Sequence, residues 1–265
     1  MHVIEEIAQY FVATVFGFLV GAVVNAVSRY FLSRSSTALK GSSTLRFLRV
    51  LIPVTAIKTV KLFFGKGLIS AADTKPQLYS DVVVELVCGF GTLALFVKFY
   101  PAPVFFTNVA FCAALVAIFR IDLGEMIIPD AISLNSVWVG FMLSWFGAIS
   151  SMDWKSSLCG ILLGATILYV PAYLYRLIKG SDGLGGGDVK LMAMVGAFTG
   201  AQGVIFTLFV ASFSGCLVGL IGFLYKRISS NSLIPFGPFI SCAAILYIFF
   251  GPTIIDLFLS LTDYF

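Results

Sequence analysis

The chain has 265 residues, 59% of them hydrophobic and only 11% charged, with a mean hydropathy of +1.02, whereas an ordinary soluble domain carries about 25% charge. That balance excludes a soluble globular protein and leaves one membrane domain over residues 1–265 that crosses the bilayer several times. The net charge of +4 reports topology rather than nucleic-acid binding, because the 17 basic residues gather in a few loops.

A membrane span needs about 20 apolar residues. The segments 7–28, 82–99, 102–119, 134–150, 156–177, 203–225 and 236–259 meet that requirement. An eighth, from Val189 to Gly200, rises only about 18 Å against a hydrocarbon core of about 30 Å. It is either re-entrant or stops inside the membrane at a wet cavity, because irregular backbone is not viable against lipid. The expected fold is all-α: a polytopic membrane helical bundle of about eight transmembrane segments.

The first residues carry Glu5 and Glu6, and the long loop over 29–80 carries nine Lys and Arg, from Arg29 to Lys75. Positive charge stays in the cytoplasm, so the N-terminus is expected outside and this loop inside. Alternate threading, with the short segment counted as a crossing, also places Arg120, Arg176, Lys179, Lys190, Lys226 and Arg227 inside, and only Lys98 and Lys155 outside. Within the loop, Leu45 to Lys66 mixes bulky apolar and basic residues, as an interfacial helix on anionic lipid does.

The five cysteines, Cys88, Cys112, Cys159, Cys216 and Cys242, lie in separate apolar segments without C-x-x-C spacing, and His2 is the only histidine. This excludes a zinc centre and a Ser-His-Asp arrangement; no metal site is expected. The cysteines read as small core residues.

Two acid-bearing stretches remain. Gly183-Leu184-Gly185-Gly186-Gly187-Asp188-Val189-Lys190 puts a carboxylate at the head of an apolar helix behind a glycine-rich turn, and Asp122, Glu125 and Asp130 lie in a second turn between apolar segments. Both turns fall on the cytoplasmic side of the threading. Two carboxyl groups sharing a site cannot both ionise easily, so one keeps its proton while the other is charged. That is the requirement of aspartyl proteolysis: one group takes a proton from water, the other hydrogen-bonds the scissile carbonyl. Plainer readings stand beside this one. Asp188 would be the N-cap of a helix from Val189, Asp130 the N-cap of the helix after Pro129, and Asp122 a partner for Arg120. Glu85 near a helix end would reach headgroup water, and Asn25 would make a helix–helix hydrogen bond.

Asp122 with Ile128-Pro129-Asp130, followed by Gly185-Gly186-Gly187-Asp188-Val189-Lys190, resembles the type IV prepilin peptidase family, membrane aspartyl proteases with a G-x-G-D motif. Phe16 to Asn25 with Arg29, Val84-Glu85-Leu86 with Gly89, and Ile234-Pro235-Phe236-Gly237-Pro238 resemble further blocks of that family in the same order. The resemblance implies Asp122 and Asp188 as the catalytic pair, Gly185 and Gly187 as shapers of the turn, and no cofactor for proteolysis. It implies an enzyme of the cytoplasmic (inner) membrane that cleaves the basic leader of prepilin or pseudopilin proteins, its partners besides the lipid bilayer. Glu125 or Asp130 would receive a basic leader residue.

The departure is in the loop over 29–80, which holds no cysteine, where bifunctional members carry two C-x-x-C pairs. Methylation of the new N-terminus with S-adenosylmethionine is thereby put in doubt, although the blocks around Asn25 and Glu85 leave a region for it. The rival reading is a proton-coupled transporter with a broken transport helix. A protease of the presenilin type is a third; its partner acid usually follows a tyrosine, whereas Asp122 follows Ile121.

Overall fold

A computed structural model describes residues 2–35, 75–149, 152–180, 185–225 and 234–262. Among these the protein is entirely helical: α1 His2–Ser35, α2 Lys75–Phe99, α3 Val104–Glu125, α4 Asp130–Trp145, α5 Trp154–Lys179, α6 Gly186–Leu224 and α7 Gly237–Thr262. All but α4 are long and apolar enough to cross a bilayer, so the chain is a multi-pass membrane protein. Its outward surface is apolar in keeping with lipid contact, with Phe11, Phe90, Phe209, Phe213 and Ile178 all well exposed.

The helices refine the sequence expectation in several places. Segments 189–200 and 203–225 are the two helical arms of α6, which meet directly at a kink at Gly200, whose φ of 69° and ψ of −172° are non-helical. Glycine alone adopts that conformation readily, and no polar linker separates the two arms. Helix α4 starts at Asp130 rather than 134, because the extended Pro129 (φ −67°, ψ 126°) launches it, and it closes after Trp145 ahead of Gly147 at φ 71°. At about 24 Å it is shorter than the hydrocarbon core. Helix α3 continues to Glu125 instead of ending near 119. Helix α1 also continues to Ser35 and α2 begins at Lys75, so the loop expected over 29–80 is shorter; its interfacial helix, Leu45 to Lys66, lies outside the described residues.

The chain divides into two compact units, residues 1–117 and 118–265. In the first, α1 packs on α2. The absent side chain of Gly21 permits the approach: a Cβ there would stand 2.8 Å from Cα of Glu85. In hydrocarbon, where apolar burial gives no net driving force, such small-residue contact is a main source of helix association.

In the second unit, the first arm of α6 is the central post. Leu191, Met192, Met194, Val195 and Ala197 are wholly buried, because α4, α5 and α7 pack around the arm. Gly164 of α5 lies on the Met192 carbonyl and Gly160 lies on Gly196, so the two backbones touch. Ser157 Oγ donates to the Ala197 carbonyl oxygen at 2.9 Å, satisfying its hydroxyl in a place without water. At the far end of α4, Trp145 stacks obliquely on Trp154 with ring centroids 5.2 Å apart, and the Lys155 ammonium sits 5.7 Å from the Trp154 ring centre. Such a group suits the membrane–water interface.

Candidate active site

Both acids expected on turns are helical. Asp122 lies in the last turn of α3 and Asp188 is the third residue of α6. The helical N-cap ahead of Asp188 is Gly185 (φ −67°, ψ 130°), so Asp188 is not the N-cap the sequence allowed. From the third position its carboxylate curls back over the start of the helix: a Cβ on Gly185 would lie 3.3 Å from Asp188 Oδ2. An acid there is favoured by the unpaired amides of the first turn. Asp130 is likewise one residue inside α4, whose N-cap is Pro129.

The α3–α4 connection brings the acids together. Helix α3 closes with Met126 in the left-handed region (φ 54°), its N–H donating to the Asp122 carbonyl at 2.9 Å. The chain then runs through Ile127, Ile128 and Pro129 to α4. Ile128 lies against the starts of both α6 and α7: a Cβ on Gly187 would stand 2.9 Å from Ile128 Cβ, and one on Gly237 would stand 3.3 Å from Ile128 Cδ1. Asp122 is only 4% exposed and Asp188 9%, and Ile128 is common ground between them, set against Gly187 next to Asp188 and against Gly237 beneath the Asp122 carboxylate. Two sheltered carboxyl groups, one at the amino end of α6 and one beside the first residue of α7, suit a pair that shares a proton.

Of the glycines in the turn, Gly187 has the steric need, because it allows α6 to meet Ile128. Gly185 touches only the Asp188 carboxylate, and Gly186 has open space. Gly183 and Leu184 lie outside the described residues.

Around the pair, Glu125 is exposed at the end of α3. Asp130 accepts from Lys190, Nζ to Oδ1 2.6 Å, joining the first residue of α4 to the first turn of α6. Neither this pair nor a role for Gly237 was read from the sequence. A glycine between two prolines at a helix start was the available signal for the latter.

Asn25 and Glu85 belong to the other unit. Asn25 Nδ2 donates to the Asp81 carbonyl at 3.0 Å and to Glu85 Oε1 at 3.4 Å, and Asp81 pairs with Arg29. Glu85 and Asp81 are fully buried, so Glu85 does not reach headgroup water; Asn25 makes the helix–helix hydrogen bond expected of it. Among the described residues, no group of three or more His, Cys, Asp or Glu is arranged to hold a metal ion.

Residues 109–220 match the model of the Type IV leader peptidase family, a stretch holding both acids. A "Prepilin leader peptidase/N-methyltransferase" of Burkholderia pseudomallei strain 1026b is 29% identical over 169 residues, 64% of this chain and 54% of the relative. A protein of the same name from Pseudomonas aeruginosa strain PAO1 is 31% identical over 150 residues, 57% of this chain and 51% of the relative. One from Aeromonas hydrophila is 28% identical over 179 residues, 68% and 57%. The chain thus spans about half the length of these curated relatives. No solved structure matches it.

Proposed function

We propose that the chain, whose residues 109–220 match the model of the Type IV leader peptidase family, is a membrane-embedded aspartic endopeptidase that removes the basic leader from prepilin or pseudopilin-like proteins. The observation that carries this reading is the common neighbour of the two acids: Ile128 packs against Gly187, next to Asp188, and against Gly237, on which the Asp122 carboxylate rests. Two carboxyl groups in one sheltered site favour a singly protonated pair. The ionised carboxylate takes a proton from water as the oxygen attacks the scissile carbonyl. The protonated carboxyl hydrogen-bonds the carbonyl oxygen as negative charge develops on it. The tetrahedral intermediate collapses when the leaving amine is protonated, and the pair ends with one proton, as it began. No metal or cofactor enters these steps.

The charge asymmetry of the loops supports a cytoplasmic position for this site, in an inner membrane, where a basic leader is presented. Glu125 and Asp130 would receive basic side chains of the leader, with Asp130 exchanging its Lys190 partner for one of them. None of the relatives named above is a transporter, so the transport alternative has no support.

The relatives' names include N-methyltransferase. A sulfonium cofactor would need carboxylates open to its amino and ribose hydroxyl groups. Glu85 and Asp81 are instead buried and engaged by Asn25 and Arg29. The group does not fit these residues as they stand, and no methyl-transfer step is assigned to them.

The test is cleavage of a prepilin-like substrate by the purified protein in lipid, wild type against Asp122→Asn and Asp188→Asn. Each substitution should lower turnover at least about 1,000-fold, because removal of a group that acts only in the transition state falls on turnover. Near-normal cleavage by either variant would remove that residue from the pair, and absence of cleavage by the wild type would remove the function.

A further inference from the structure

The Asp122 carboxylate rests against the first residue of α7. A Cβ on Gly237 would lie 2.6 Å from Asp122 Oδ2 and 3.1 Å from its Cγ. No residue with a side chain fits there without moving the acid.

The hydrogen-bond accounting of the same turn gives Gly237 a second part. The first amides of a helix have no partner within it. In α7, Pro238 has no N–H, while Phe239 and Ile240 donate to the Phe236 carbonyl oxygen at 3.0 and 3.2 Å. The Gly237 N–H is the amide that remains, at the helix end against which the Asp122 carboxylate rests. Asp122 Oδ2, buried and without a hydrogen bond of ordinary geometry, is therefore held beside a helix end that carries about half a positive charge.

We propose that Gly237 is a positioning residue for the aspartyl pair: the absence of its side chain lets Asp122 seat against the amino end of α7, whose partial positive charge favours the carboxylate there. Ile128, packed on both Gly187 and Gly237, fixes the other wall of the seat. The inference rests on the peptidase reading above and adds to it a residue that contributes no side-chain chemistry.

A methyl group on Gly237 must reach at least 3.4 Å from Oδ2 to make an ordinary contact, which displaces the carboxylate by about 0.8 Å, and a misplacement of that size costs on the order of 100-fold in rate. Gly237→Ala is assayed in lipid with a prepilin-like substrate, beside wild type and Gly215→Ala. The alanine Cβ at 215 meets only the Phe239 ring and Phe236, at 3.7 to 3.8 Å. The expected result is a roughly 100-fold fall in kcat for Gly237→Ala with KM within about 3-fold, an unchanged thermal midpoint, and a normal rate for Gly215→Ala. Turnover of Gly237→Ala near the wild-type rate would overturn the inference. So would a loss confined to KM, or a collapse of thermal unfolding, which would make Gly237 a folding residue. Failure of the wild type to cleave falls instead on the proposed function.

Discussion

Gly164 offers a test of how firmly the α6 post is held. A Cβ there would stand 2.8 Å from the Met192 carbonyl carbon, with the oxygen nearer still, whereas ordinary contact begins at 3.4 Å. The obstruction is backbone, so no rotamer change relieves it, and α5 and α6 must separate by about 1 Å. Overpacking of that kind costs about 1–3 kcal/mol. Met192 is four residues, about 6 Å, along the helix from Asp188, so the shift is delivered to the acid almost undiminished, and about 100-fold in turnover should follow. Gly160→Ala meets Gly196 and Gly200 in the same way but acts about 12 Å or more from Asp188. It should therefore destabilise similarly and slow cleavage less. Thermal unfolding in detergent and initial rates in lipid measure the two effects, with Gly91→Ala as a control, since a Cβ there meets nothing within 4 Å. If Gly164→Ala keeps both stability and rate, or if Gly160→Ala is the slower enzyme, the post does not transmit packing to the site.

Two further outcomes follow from the site's surroundings. Met126 holds a left-handed backbone at a cost of about 1 kcal/mol or more, so Met126→Gly should raise the unfolding midpoint in detergent; a drop would show that the exposed Met126 side chain contributes more than its strain. Asp130 is exposed and Lys190 partly so, and such surface pairs give at most about 1 kcal/mol. Asp130→Asn should thus leave thermal stability nearly unchanged, while the combination with Glu125→Gln raises KM for a leader rich in Lys and Arg. An unchanged KM would remove both acids from leader recognition.

The acids stood out in the sequence because ionisable groups are expensive in an apolar chain and need a reason. The shortness of 189–200 likewise anticipated the interruption at Gly200. The secondary structure around Asp122 was harder to read. Gly124 and the charges near it look like a turn, yet the helix continues through them and closes only at Met126, a residue with no intrinsic preference for a left-handed cap. The contacts that build the site were the least legible. Glycine at 160, 164, 187 and 237 is the same letter in the sequence, and only the partner it meets separates a helix crossing from a seat for a carboxylate. The pairing of Asp130 with Lys190 joins residues far apart in the chain, with no local pattern to announce it.

The seat at Gly237 also imposes an order on synthesis. Helices α3 to α6 emerge from the ribosome first, and they carry both acids and the whole packed post. Up to that point Asp122 has no neighbour at position 237. The wall that Gly237 forms against the carboxylate is added only with α7, the last of the described helices in the chain.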